Sequence, residues 1–305
     1  MLLSEILKDM KPFERFEIVN EKQFDCLALI ASNVDKTTCV FLDSEKFISS
    51  LKSNVSMVIT NRDISKKLDC SYYGICIVES PRIFFFMVHN YINEKNELEN
   101  KKTDALIGNN CTIHKLSSIA EYNVKIGDNV IIEEFVVIRE NTIVGNNSII
   151  RAGSIIGGQG YEFKRVKDDI LKVAHAGGVI IGENVEIQYN TCIDRGVYSW
   201  DNTIIGDNCK IDNLVHIAHG VKIGKNTMVV ANAGIGGRTI IGENAWIGFA
   251  STIINGVIVG NSARANIGSV VTKSIPNEGS FSGNFAIEHS IFMKNLKKSI
   301  LDNEE

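Results

Sequence analysis

From Ile181 to Val259 an apolar residue returns at every sixth position: Ile181, Ile187, Ile193, then Ile205, Ile211, Ile217, Ile223, Val229, Ile235, Ile241, Ile247, Ile253 and Val259. Only Ser199 breaks the series, and Ala265 and Val271 extend it. Glycine often follows the anchor, and a small or β-branched residue comes four places after it. A period this short marks a solenoid, and a period of six marks a parallel β-helix. Each hexad is one short strand with its corner. Three hexads make a coil of 18 residues, and coils stack at about 4.8 Å. Helical spacing of apolar residues is absent.

The hexads begin at Ile107, Ile113 and Ile119, slip by one residue, and resume from Ile126 to Ile156. The period fails over 157–180, GGQGYEFKRVKDDILKVAHAGG preceding the return to the repeat. Long excursions from a rigid scaffold tend to carry function, so Tyr161 and Phe163 become candidate substrate contacts. The shaft ends at Lys273–Pro276, and Ala286–Leu301 has the spacing of a helix, with Ile287, Ile291, Leu296 and Ile300 on one face.

Residues 1–93 have a different texture. Met1–Met10 reads as an amphipathic helix rather than a signal peptide. Strands are expected at Cys39–Leu42, Met57–Thr60 and Ile75–Val78, and Ser80–Pro81 opens a helix with Ile83, Phe84, Met87, Val88 and Tyr91 behind it. The charged stretch 93–104 reads as a linker. The expected domains are therefore 1–100, a small α/β unit; 101–275, the hexad shaft with its loop 157–180; and 276–305, a helical tail. The fold class is α+β.

Net charge is −4, and no basic run suits nucleic acid. No apolar stretch approaches the roughly 18 residues of a membrane span. Seven scattered cysteines without CxxC spacing fit reduced thiols and a cytoplasmic setting.

An 18-residue coil places residues 18 apart in one column. His219, two places after Ile217, should lie one rung from Gly237, two places after Ile235, with Asn255 beyond and Asp201 one coil before. Imidazole suits proton transfer near neutral pH, and a glycine N–H can steady an oxyanion. Asp212, seven residues before His219, is a candidate orienter of the ring. His216 and His219 could also be ordinary surface histidines. A metal site is not expected, because no further His or Cys shares their register closely.

Three stretches, NTCIDRG (Asn190–Gly196), KIDNLVHIAHGVKIGKNT (Lys210–Thr227) and ANAGIGGRTIIG (Ala231–Gly242), resemble the UDP-3-O-acylglucosamine N-acyltransferases of lipid A biosynthesis. GGQGYEF and TTCVFLDSEKF (Thr37–Phe47) extend the resemblance to the loop and the first domain. The resemblance implies a left-handed β-helix, a homotrimer, and active sites between shafts. It places the general base on His219, its acidic partner on Asp212, the oxyanion amide on Gly237 and nucleobase-stacking rings on Phe41 and Phe47. Asn213, His216 and Asn232, within these motifs, and Asn255, in the column of His219 and Gly237, join the substrate-binding candidates.

The chain departs from that pattern in three places. Ser80-Pro81-Arg82 stands where the family has Asn-Pro-aromatic, Ile267–Gly268–Ser269 where it has methionines, and GNFAIEH where it has Gly-Ile-Pro. SVVTKSIPNEGSFSGN resembles the ending of hexad acetyltransferases that use CoA. These departures lead to the expectation of N-acyl transfer from a short acyl-CoA to a nucleotide-linked amino deoxysugar for surface polysaccharide. The alternatives are the lipid A reaction with an acyl carrier protein and, remotely, a non-catalytic hexad scaffold. No permanently bound cofactor is expected.

Overall fold

The computed structural model describes residues 1–10, 12, 14–99, 102–283 and 286–301. It divides into two compact units.

The first unit is assembled from three pieces of chain, Met1–Asp104, Gln159–Gly178 and Arg195–Asn202. It opens with α1 (Leu3–Met10), followed by β1 (Glu17–Val19), β2 (Cys26–Leu27), β3 (Thr38–Leu42), β4 (Val55–Thr60), α2 (Arg62–Ser65), β5 (Gly74–Ile77) and α3 (Pro81–Glu99). The sheet order is β1-β5-β4-β3-β2, with only β1 antiparallel to its neighbour. Alternation along the strands sends side chains to two cores, since successive residues point to opposite faces. Cys39, Met57, Ile59 and Cys76 meet Leu3, Leu7, Phe84, Phe85 and Val88 on one face. Val40, Leu42, Val58 and Ile75 meet Ile64 and Leu68 on the other.

α3 differs from the sequence expectation in two ways. Its buried stripe includes Phe85 and Phe86 beside Phe84 and Val88, while Ile83 and Met87 are half-buried. It also continues through residues 93–99, which were expected to be linker. Glu, Lys and Leu are good helix formers, so helix can continue here without an apolar period.

The excursion belongs to this unit. It forms a hairpin of Phe163–Val166 and Asp169–Lys172. Asn90 grips it from α3, donating to the Lys172 carbonyl at 2.7 Å and accepting from the Ala174 N–H at 2.8 Å. Val173, Val197 and Tyr198 enter the core, Trp200 packs against it, and the Trp200 indole N–H donates to the Leu27 carbonyl at 3.0 Å.

The second unit, Ala105–Gly158, Val179–Asp194 and Thr203–Glu305, is the expected left-handed parallel β-helix. Three parallel sheets of nine, eight and eight strands form its faces. The anchors fill the shaft: Ile187, Ile193, Ile205, Ile211, Ile217 and Ile247 are fully buried. Burying each such side chain contributes about 1.5–3 kcal/mol. Corners are turned by residues in the left-handed region, most of them asparagines, including Asn129, Asn147, Asn208, Asn226 and Asn244. Asparagine tolerates this conformation better than other non-glycine residues. Stacked coils bring these amides together: Asn208 donates to Asn226, and Asn226 to Asn244, each at 3.2 Å.

The register is not uniform. Ile204 pairs with Lys222 and His216 with Gly234, the expected 18 residues apart. Leu106 pairs with Lys125, 19 residues on, which is the one-residue slip. Thr142 pairs with Val179, 37 residues on, across the excursion. Cys192, however, pairs with His216, 24 residues on. Residues 195–202 have left the shaft, so Ser199 is an exposed loop residue rather than a faulty anchor. Asp201 therefore does not occupy the column of His219, contrary to the constant 18-residue count.

α4 (His289–Leu301) closes the described chain. Ile287 before it, and Ile291, Phe292 and Leu296 on it, are exposed rather than packed against the shaft.

Candidate active site

The sheet ladder fixes one column in the second unit. Ile217 pairs with Ile235, and Ile235 with Ile253. Two residues beyond these anchors come His219, Gly237 and Asn255. The Arg238 N–H donates to the His219 carbonyl at 2.9 Å, and the Gly256 N–H to the Gly237 carbonyl at 3.0 Å. His219 is nearly buried, 8% exposed. A methyl group placed on Gly237 would lie 2.7 Å from both Cε1 and Nε2 of the His219 ring. The imidazole thus lies directly against the glycine backbone of the next rung, as the register predicts. The Gly237 N–H has no acceptor among the described residues, which leaves it available to an incoming oxygen.

Asp212 sits at the preceding corner and is occupied with backbone. Its Oδ1 accepts from the Asn213 N–H at 2.7 Å and its Oδ2 from the Ala231 N–H at 3.1 Å. Asn213 performs a similar task, accepting from the Tyr189 N–H at 3.1 Å, while its carbonyl accepts from the Asn232 N–H. Asn232 is exposed and in the left-handed region, and Asn255 is exposed. These residues build corners as well as lining the surface.

His216 has a partner that sequence reasoning did not assign. Its Nε2–H donates to Asp194 Oδ2 at 3.1 Å. That hydrogen bond holds the imidazole above its ordinary pKa, against the opposing effect of partial burial. The 24-residue coil hid this pair. The signal for it lay in the IDRG motif, whose aspartate is two places beyond Cys192, the strand partner of His216.

Four other candidates belong to the first unit. The Phe41 ring packs 5.2 Å from Phe85, and its other neighbours include the Arg82 guanidinium, 5.5 Å from the ring centroid. Asp43 holds Arg82 at 2.8 Å. Phe47, on a 3-10 turn over Glu45–Ser50, is 39% exposed, with the Lys46 ammonium 4.8 Å from its centroid. These groups gather at the carboxyl end of β3, the customary ligand edge of a parallel sheet. Tyr161 is almost fully exposed and meets Phe163 edge-on at 4.9 Å.

Residues 123–158 and 202–237 match the family model described as bacterial transferase hexapeptide (six repeats). These two segments are bacterial transferase hexapeptide repeats. The chain is 49% identical over 84 residues to UDP-3-O-acylglucosamine N-acyltransferase 2 of Legionella pneumophila, a match spanning 28% of this chain and 24% of the relative. It is 32% identical over 136 residues to the UDP-3-O-acylglucosamine N-acyltransferase of Delftia acidovorans, spanning 45% and 40%. The matches thus span a quarter to two fifths of these relatives. An Arabidopsis UDP-N-acetylglucosamine acyltransferase structure aligns at 25% identity and TM-score 0.41, covering 59% of this chain and 68% of the other. No described helix is long and apolar enough to cross a membrane, and no described cluster of three His, Cys, Asp or Glu residues could hold a metal ion.

Proposed function

We propose that this chain is an N-acyltransferase that moves an acyl group from a thioester to the amine of a nucleotide-linked amino sugar. The observation that carries the reading is the His219 imidazole lying against the Gly237 rung. Amine attack on a thioester needs a base for the proton and donors for the oxyanion, and these two residues can supply both. A sugar amine resembles an α-amino group, with a pKa of about 8, so it is largely protonated at neutral pH. The names of the hexapeptide relatives favour UDP-3-O-acylglucosamine as the acceptor over the amino deoxysugar expected from the sequence departures. That acceptor goes with a carrier-bound 3-hydroxyacyl donor. His219 acts as base, with Phe47 and Phe41 contacting the nucleobase and a homotrimer as the working assembly.

The second reading, a short acyl-CoA and an amino deoxysugar, is favoured by one observation. Arg82 stands over Phe41 in place of the family's aromatic residue, changing the nucleobase edge. Thiol release tests both readings. The donors are acetyl-CoA, 3-hydroxybutyryl-CoA and 3-hydroxymyristoyl carrier protein; the acceptors are UDP-3-O-acylglucosamine and dTDP-3-amino and dTDP-4-amino dideoxysugars. Turnover of UDP-3-O-acylglucosamine with the carrier-bound chain supports the first reading. Turnover of a dTDP sugar with a short acyl-CoA replaces it with the second. Silence across the panel, with no thermal shift on adding UDP or dTDP, sinks the enzyme reading in favour of a scaffold.

A further inference from the structure

The short departure at 195–202 has no part in the proposed chemistry, yet it carries two aromatic rings into the first unit. The Tyr198 and Trp200 rings stack on each other, 5.2 Å apart and 8° from parallel. The Trp200 indole N–H donates to the Leu27 carbonyl, which fixes that ring's edge. Tyr198 is buried and meets the His89 ring edge-on at 5.1 Å, whereas Trp200 stays half-exposed. α3 supplies a second wall. His89, Asn93 and Asn96 recur at helical spacing and so share one face of it. Asn93 and Asn96 fall in the stretch expected to be linker, and the helical extension is what brings their amides into the wall. Between these walls lies a cavity of about 170 Å³ whose lining belongs wholly to the first unit.

The floor of this cavity is polar and lacks a donor. His89 Nε2–H donates to the Ala174 carbonyl at 2.9 Å. The Asn93 amide donates to the His89 backbone carbonyl at 2.8 Å, its Nδ2 lying 3.0 Å from that ring nitrogen. Asn93 is 9% exposed, and its Oδ1 accepts no hydrogen bond from any described residue. A nearly buried amide oxygen calls for a partner, so a ligand must bring an O–H or N–H. Asn96, Ser199 and Asp25 are exposed at the rim and offer further donors and acceptors. Thr37 donates its hydroxyl and its N–H to Asp25, which hold the carboxylate ionised, and the Met1 ammonium beside it offsets the charge. Burial pushes the Cys26 thiol up, so it stays neutral. The lining therefore carries little net charge and does not suit a phosphate. Drug-sized ligands occupy about 300–1,000 Å³, so a cavity of this size admits one ring and not a nucleotide.

We propose that this cavity binds a single uncharged pyranose ring, with a hydroxyl donating to Asn93 Oδ1 and the apolar C–H face lying along Trp200. Sugar hydroxyls donate and accept around the whole ring edge, which matches polar groups on the floor and the rim alike. An aromatic wall with few polar anchors is the usual make-up of a small-molecule site. This site is separate from the nucleobase edge at β3 and does not depend on the acyl-transfer reading.

The test uses the full chain and needs no turnover. The chain has two tryptophans, so Trp246→Phe leaves the Trp200 indole N–H as a single resonance to follow by NMR. Methyl α-glucoside, methyl α-galactoside and N-acetylglucosamine are titrated in turn, with uridine and inorganic phosphate as controls. At least one of the sugars is expected to move the resonance saturably, with a Kd of about 1–10 mM. Asn93→Ala and Asn96→Ala should each weaken that binding about 5-fold, the worth of one neutral hydrogen bond. Asn96→Ala should keep the wild-type Tm, because its side chain is exposed and makes no hydrogen bond to a described residue. No saturable movement with any of the three sugars overturns the proposal, as does unchanged affinity in both alanine variants. Uridine or phosphate moving the resonance where the sugars fail also overturns it. Should Asn93→Ala not fold, Asn96→Ala decides alone: a 5-fold loss supports the site and none refutes it.

Discussion

Gly237→Ala separates the chemistry of the candidate site from its fold. The new methyl carbon would stand 2.7 Å from Cε1 and Nε2 of His219, and 3.2 Å from Nδ1. Favourable carbon contacts lie at about 3.5–4.0 Å, so the overlap is about 1 Å. The backbone is not free to relieve it, because rungs on both sides are hydrogen-bonded through the His219 and Gly237 carbonyls. Gly237 is outside the left-handed region, so alanine brings no backbone strain. The imidazole must rotate, at a cost of about 0.5–1.5 kcal/mol for leaving its rotamer. A displacement near 1 Å at a reacting group costs about 100-fold in rate, or about 2.7 kcal/mol of barrier. Thiol release at saturating donor and acceptor should therefore show kcat down about 100-fold, while urea unfolding loses no more than about 1.5 kcal/mol. Alanine retains the backbone N–H, so the loss reports the ring. A Gly237→Ala enzyme with wild-type kcat would falsify the assignment of His219 as base.

Other perturbations probe different parts of the molecule. His219→Ala should lower kcat by about 10²–10⁴, the usual worth of a general base; near-normal turnover would mean that the thioester sulfur takes the proton itself. Asp212→Asn leaves one oxygen for two N–H groups, and unfolding in urea should show a loss of about 1–3 kcal/mol; no loss would remove the corner-bracing role. Phe47→Ala should weaken UDP binding about 5- to 150-fold by calorimetry, the range of base–aromatic stacking, with little change in Tm because the ring is exposed. Ile235→Ala removes a buried anchor and should cost about 2–5 kcal/mol in the same urea assay.

The shaft was legible because its rule is local. Every coil repeats the same anchor and the same corner, and asparagine marks the left-handed turn. The His219–Gly237 contact followed from counting, since an uninterrupted 18-residue coil separates them. Counting failed one coil earlier for a definite reason. A 24-residue coil keeps a six-residue phase intact, so the loop at 195–202 left only Ser199 as a trace. The Asp194–His216 pair disappeared with it. The end of α3 was hidden for another reason: a polar helix extension lacks the apolar period that distinguishes helix from linker. The Phe84–Phe85–Phe86 run buries three adjacent rings, a pattern that a single-stripe reading does not anticipate.

The strand pairings across the two departures have a bearing on how such a chain can change. Thr142, Ile143 and Val144 pair with Val179, Ile180 and Ile181 as though the intervening hairpin were not there. Cys192 and Ile193 pair with His216 and Ile217 in the same way. The shaft is indifferent to what is spliced in between coils, provided that the chain returns one rung higher. Lineages descended from such a chain could trade, lengthen or delete these inserts as cassettes while the column holding His219 and Gly237 was inherited intact. New recognition would then evolve by grafting at the coil boundaries, leaving that column out of the exchange.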